Sequence, residues 1–111
     1  MRVASGTNMF EVPEAFREAR VGLPDEIVII ASVIDEKSCD ITIQDFVRDG
    51  RSYIPLFSNV EEFDRETANS AYLDSGMVIN TDLFFSMMRG GEWLIVDPVS
   101  QSPLEIRLPP R

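Results

Sequence analysis

The chain has 111 residues, 44% of them hydrophobic, and a net charge of −9 from 19 acids and 10 bases. That is enough apolar material for one domain with an ordinary core, and too much for a disordered chain. With no histidine and the single cysteine Cys39, imidazole and thiolate zinc clusters, Ser-His-Asp or Cys-His catalysis and an intramolecular disulfide are all excluded.

Residues 1–9 are small and polar and read as a flexible N-terminus, ahead of a single domain at 10–108. Met1 and Arg2 are followed by no apolar stretch of the signal-peptide kind. The longest apolar run, Ile27 to Ala31, is far short of the ~20 residues that a membrane helix needs. The expected location is therefore cytoplasmic, away from membranes.

Pro13 to Arg20 reads as a short helix, with proline in the first turn and Glu14 at the positive end of the dipole. Gly22 and Pro24 stop it. Ile27 to Ile34 is β-branched without alternation, the pattern of a strand buried on both faces. After a polar connection at 35–40, Ile41 to Val47 and Ser52 to Phe57 flank Asp49 and Gly50. Asp-Gly tolerates positive φ at both positions, so the pair predicts a hairpin. Pro55 has no N–H to give a ladder, which places it at a sheet edge or a bulge. Asp45 shares a phase with Ile41 and Val47, so either the strand ends before it or that face is wet.

Ser58 and Glu61 have the spacing of a capping box and predict a helix from Asn59 to Thr67, with Val60 and Phe63 inward. Its acids Glu61, Glu62, Asp64 and Glu66 are expected to face water, as a solvated face favoured by the dipole. The same four residues are the candidate contacts for a basic partner. Gly76 to Ile79 is a short strand. Asn80 or Thr81 caps a third helix, Asp82 to Met88, whose Leu83, Phe84, Met87 and Met88 read as core. Gly90 and Gly91 end that helix; they lack phosphate-loop spacing. Trp93 to Val96 is a strand closed by Asp97 and Pro98. Leu104 to Leu108 alternates and should be half-buried.

The fold expected from these elements is α+β: a mixed, largely antiparallel sheet of five or six strands, with about three helices covering mainly one face. Carboxylates are the one abundant catalytic residue type, but no pair of them is marked out by position, so no catalytic residue is assigned. Asp35, Glu36 and Asp40 lack the alternating acids and central glycine of a calcium loop and read as a polar turn. Cys39 lies among acids, which raise a thiol's pKa, and reads as inert. No cofactor or metal is expected.

Tyr53, Ile54, Pro55, Leu56, Phe57 and Ser58 lead into an acidic helix; a short apolar strand, a helix carrying Leu83 and Phe84, and Trp93 to Pro98 follow. This order resembles the N-terminal domain of SseB-type proteins, over roughly residues 10–108 and most closely over 51–98. One departure is Asp97-Pro98, where the family pattern has Asn-Pro. Many members of that family carry a second domain that these residues do not include, and nothing of its role is carried over. The resemblance implies no catalytic residue. The expectation is a non-catalytic protein-interaction or regulatory domain, monomeric or weakly dimeric. Its partner should be a protein, with basic character favoured by the chain's charge; nucleic acid is not expected, because its binders neutralise phosphates with Lys and Arg. The alternative is an immunity-type inhibitor whose acidic face blocks a basic toxin or nuclease.

Overall fold

Four consecutive side chains, Ile27, Val28, Ile29 and Ile30, are all buried. A strand can do this only if it is covered on both faces, and the chain is folded around that requirement. The computed structural model describes residues 2–4, 11–35 and 40–111, with side chains from 11–32 and 41–111.

The elements in order are β1 (Arg2–Ala4), a 3₁₀ turn (Glu14–Phe16) running into α1 (Arg17–Val21), β2 (Glu26–Asp35), β3 (Asp40–Ile43), β4 (Phe46–Arg48) and β5 (Arg51–Phe57). They are followed by α2 (Val60–Thr67), β6 (Gly76–Asn80), α3 (Thr81–Met87), β7 (Trp93–Val96) and β8 (Leu104–Arg107). The strands form one sheet of order β1-β3-β2-β5-β7-β8, with β6 beside β2 and β4 beside β5. All pairings are antiparallel except β5 with β7. The α+β class, with a mixed and largely antiparallel sheet, is thus what the chain adopts. Eight strands among the described residues, rather than five or six, arise for two reasons. The stretch read as a frayed terminus contributes β1, and the 41–47 segment divides into β3 and β4. Residues 1 and 5–10, and with Glu36 and Cys39 most of the polar turn at 35–40, lie outside the described residues.

That division follows from Pro55. In the β2–β5 ladder Val28 pairs with Phe57 and Ile29 with Leu56, so Pro55 would come next, opposite Ile30. It has no N–H, and the Ile30 carbonyl accepts from the Gln44 amide at 2.8 Å instead. The chain then bends away from β2 at Gln44 and Asp45, and continues as β4 against β5. Pro55 is therefore neither at an edge nor in a bulge: it sits within an inner strand, where the neighbouring strand changes. The β4–β5 hairpin turns through Asp49 (φ 53°) and Gly50 (φ 77°), as Asp-Gly predicts.

The main core lies on one face of the sheet. There Phe16, Phe84, Phe85 and Met88 pack on Ile27, Ile29, Leu56 and Leu94. Arg20 fastens α1 to α3 by pairing with Asp82, and it also pairs with Asp25 at 2.8 Å. The expectation that helices cover mainly one face holds for α1 and α3, and α2 is the correction. Phe63 of α2 packs on the opposite face with Val28, Ile30 and Phe57, its ring edge-on to Phe57 at 5.0 Å. The strip of that face beyond α2 is closed by the Arg51 guanidinium, 3.9 Å from the centre of the Trp93 ring. Among the described residues, no helix is long and apolar enough to cross a membrane.

Candidate functional site

Two features surround α2, one on each side. The first is set by the parallel pair β5 and β7, whose C-terminal ends lie together. Ser58 follows β5 and Asp97 follows β7, and the Asp97 amide donates to Leu56 O at 2.8 Å. Asp97 adopts a left-handed backbone (φ 50°), which Asp tolerates better than most residues. Its carboxylate accepts from the Ser58 amide at 2.9 Å and from the Ser58 hydroxyl at 2.8 Å. Ser58 is therefore not the helix cap that the capping-box spacing suggested. Asn59 takes that position, its side chain accepting from the Glu62 amide at 2.7 Å.

With this start, Glu62 and Glu66, four residues apart, fall on one side of α2 and meet Asp97. One oxygen from each of the three lies within 4.8 Å of the others. The Glu66 side chain is 0% exposed. One of its oxygens accepts from the Val99 amide at 2.5 Å, and the other, Oε2, meets no Lys, Arg or amide donor among the described residues. Burial, then the Glu62 carboxyl beside it, push Glu66 up to about 7 from 4.5, against the opposing pull of the Val99 amide. The Glu62 carboxyl is held below its ordinary value, first by Glu66 and then by Arg65. The two glutamates therefore share one proton near neutrality. Arg65, on the outer side, pairs with Glu62 and is itself 58% exposed.

The second feature is a cleft on the other side of α2, between that helix and β6. It consists of two adjoining hollows of about 420 and 240 Å³ that share Val28, Val60 and Val78. Val60 is 48% and Val78 51% exposed, so Val60 does not turn inward as the helix pattern suggested. Four exposed acids line the cleft, namely Glu26, Glu61, Asp64 and Asp74, and among the described residues no Lys or Arg does. On its outer side β6 has no neighbouring strand among the described residues. A further hollow of about 290 Å³ lies between Tyr72 and the β4–β5 hairpin, lined by apolar side chains that include Phe46 and Val99, with Arg48 also present.

The four acids singled out in the sequence are thus divided. Glu61 and Asp64 line the cleft and are exposed, whereas Glu62 and Glu66 turn to Asp97, and Glu66 is sealed from the water it was expected to face. Asp97 and Asp74 were not picked out. The departure from Asn-Pro at 97 was the available signal for the first; nothing local marked the second.

The Pro55–Ser58 exit into α2 and the Trp93–Pro98 strand and turn, the segments that carry the resemblance, are the ones that build the carboxylate cluster. The sequence matches the profile of the SseB protein N-terminal domain over residues 5–110. The chain belongs to that family. No curated protein and no solved structure gives a significant match. In this SseB domain the motif residues have structural roles at the site: Ser58 clamps Asp97, Phe57 packs under α2, and Pro98 follows the left-handed turn.

Proposed function

We propose that this SseB domain is a non-catalytic protein-interaction module that docks a basic partner segment in the α2–β6 cleft. The observation that carries the reading is the lining of the cleft. Exposed Val60, Leu73 and Val78 offer apolar contact, and Glu26, Glu61, Asp64 and Asp74 surround them with one sign of charge. Apolar anchors inside a charged rim are the usual anatomy of a protein interface, and the single sign selects the partner. Glu62 and Glu66 are the facing acids that a carboxylate hydrolase would require. The Glu66 side chain is 0% exposed and Glu62 is held by Arg65, so the pair presents no two open carboxyls to a substrate, which favours binding over catalysis.

The same acidic lining also fits an immunity-type inhibitor of a basic toxin or nuclease, and this is the second reading. The test is affinity capture from the host lysate at low and high salt, with the wild type, Glu61→Lys/Asp64→Lys and Val60→Asp/Val78→Asp. A basic partner retained by the wild type and lost by both double variants supports the cleft. A partner retained equally by all three removes it. Stoichiometric loss of the captured protein's own activity on rebinding selects the inhibitor reading.

A further inference from the structure

The carboxylate cluster on the opposite side of α2 has no part in that cleft. Three acids brought within 4.8 Å of each other repel, and the repulsion is least screened at the buried Glu66 carboxyl. The surrounding protein answers only part of that charge. Asp97 is held by the Ser58 amide and hydroxyl, Glu62 by Arg65, and one oxygen of Glu66 by the Val99 amide. Glu66 Oε2 is buried with no donor from Lys, Arg or a backbone amide among the described residues, 3.9 Å from Arg65 Nη2. Its charge is therefore answered only by a proton shared with Glu62 or by a bound cation. A buried carboxylate oxygen without a partner costs folding free energy unless something supplies positive charge there.

We propose that Glu62, Glu66 and Asp97 form a binding site for a divalent cation of the calcium class. All donors are hard carboxylate oxygens. The three oxygens lie within 4.8 Å of one another, so one cation with oxygen ligands at about 2.4 Å can reach all of them. Calcium accepts the irregular geometry that two helix carboxylates and one turn carboxylate impose, whereas magnesium demands a near-ideal octahedron. Two donors come from one helix and the third from a turn fixed at Ser58 and at Ser100, whose amide donates to Asp97 O at 3.0 Å. The cage is therefore largely pre-formed. Arg65, more than half exposed, is the side chain that must swing off Glu62 to admit the ion. Three protein ligands leave the remaining positions to water, so the affinity expected is that of a weak site, Kd on the order of 10⁻⁴–10⁻³ M.

The test is calorimetric titration of chelator-treated protein with calcium chloride and, separately, magnesium chloride at constant ionic strength, with thermal denaturation in parallel. The expected result is one saturable calcium site per chain and a rise in Tm. Glu66→Gln and Asp97→Asn should each weaken binding at least about tenfold, in line with the loss of a charged ligand. Gln at 66 keeps an acceptor for the Val99 amide, so that variant should fold, and circular dichroism checks that it does. Glu61→Gln, in the cleft, should bind calcium as the wild type does. Absence of saturable binding at 10 mM calcium, about ten times the weakest Kd expected, overturns the proposal, leaving a proton as the sole occupant. Calcium binding unchanged in Glu66→Gln also overturns it, and tighter binding of magnesium than of calcium overturns the calcium assignment.

Discussion

Glu66 sits on α2, a helix whose sequence reads as an acidic outer face, yet its carboxyl is the least accessible acid of that helix. The cause is the turn after β7, whose Val99 amide, 33 positions later, donates to it, and local pattern cannot supply that contact. This has a consequence for stability in protein freed of divalent cations. The folded-state pKa of Glu66, about 7, lies above its ordinary 4.5, so the folded chain keeps a proton that the unfolded chain has released. Its contribution is complete below about 4.5 and is lost as pH rises through about 7. Glu62, shifted downward, contributes in the opposite sense, above its ordinary pKa. Glu66→Gln should therefore gain Tm relative to the wild type as pH is raised from about 5 to 8 in the presence of a chelator. A Tm difference that stays flat over that range would show that the buried carboxyl has no such linkage. The step from Ser58 to Asn59 is a second lesson at this scale. Both can cap a helix, and the tie between Ser58 and Asp97 moves the cap one residue along. Asn59→Ala should lower stability by about 1 kcal/mol through α2, measured by urea denaturation. Ser58→Ala should instead weaken calcium binding by releasing Asp97.

Among the elements, those coded locally were readable. The β2 run, the Asp-Gly hairpin and the Phe- and Met-rich face of α3 each took the form that their period or turn chemistry predicts. What could not be read was which face of a doubly buried strand each helix would cover. Ile27 and Ile29 present one apolar face and Val28 and Ile30 the other, so α2 could satisfy its pattern on either. Gly76 shows how closely α2 is fitted to the face that it chose: a Cβ there would lie 2.5 Å from Phe63 Cε1. Gly76→Ala should displace Phe63 and cost about 1–3 kcal/mol by overpacking, seen as a lower urea midpoint with an unchanged slope. The displacement of Val60 from an expected inward position belongs here too. Phe63 and Thr67, one turn apart, fill the helix's contact with the sheet, and Val60 falls past its edge.

At the scale of the whole molecule, the sheet places one small core on each face, and the helix over the smaller core separates two acidic sites of different character. The sequence made the charge and the α+β class legible. It could not distinguish an acid that solubilises from one that lines a cleft, because that depends on β6 lying beside β2 and on α2 crossing above them. Val78 of β6 and Val60 of α2 are far apart in sequence and become neighbours only in that arrangement. The cleft was therefore hidden until the topology was fixed.

Site-specific photo-crosslinking in the host decides whether a basic partner lies in the α2–β6 cleft. A photoreactive residue is placed at Val78, in the cleft, or at Val99, in the apolar hollow on the far side of α2; both positions are exposed. A single basic protein should crosslink from position 78 and not from 99, and Glu61→Lys/Asp64→Lys should abolish the product. Crosslinking from 99 with none from 78 would contradict docking in the cleft.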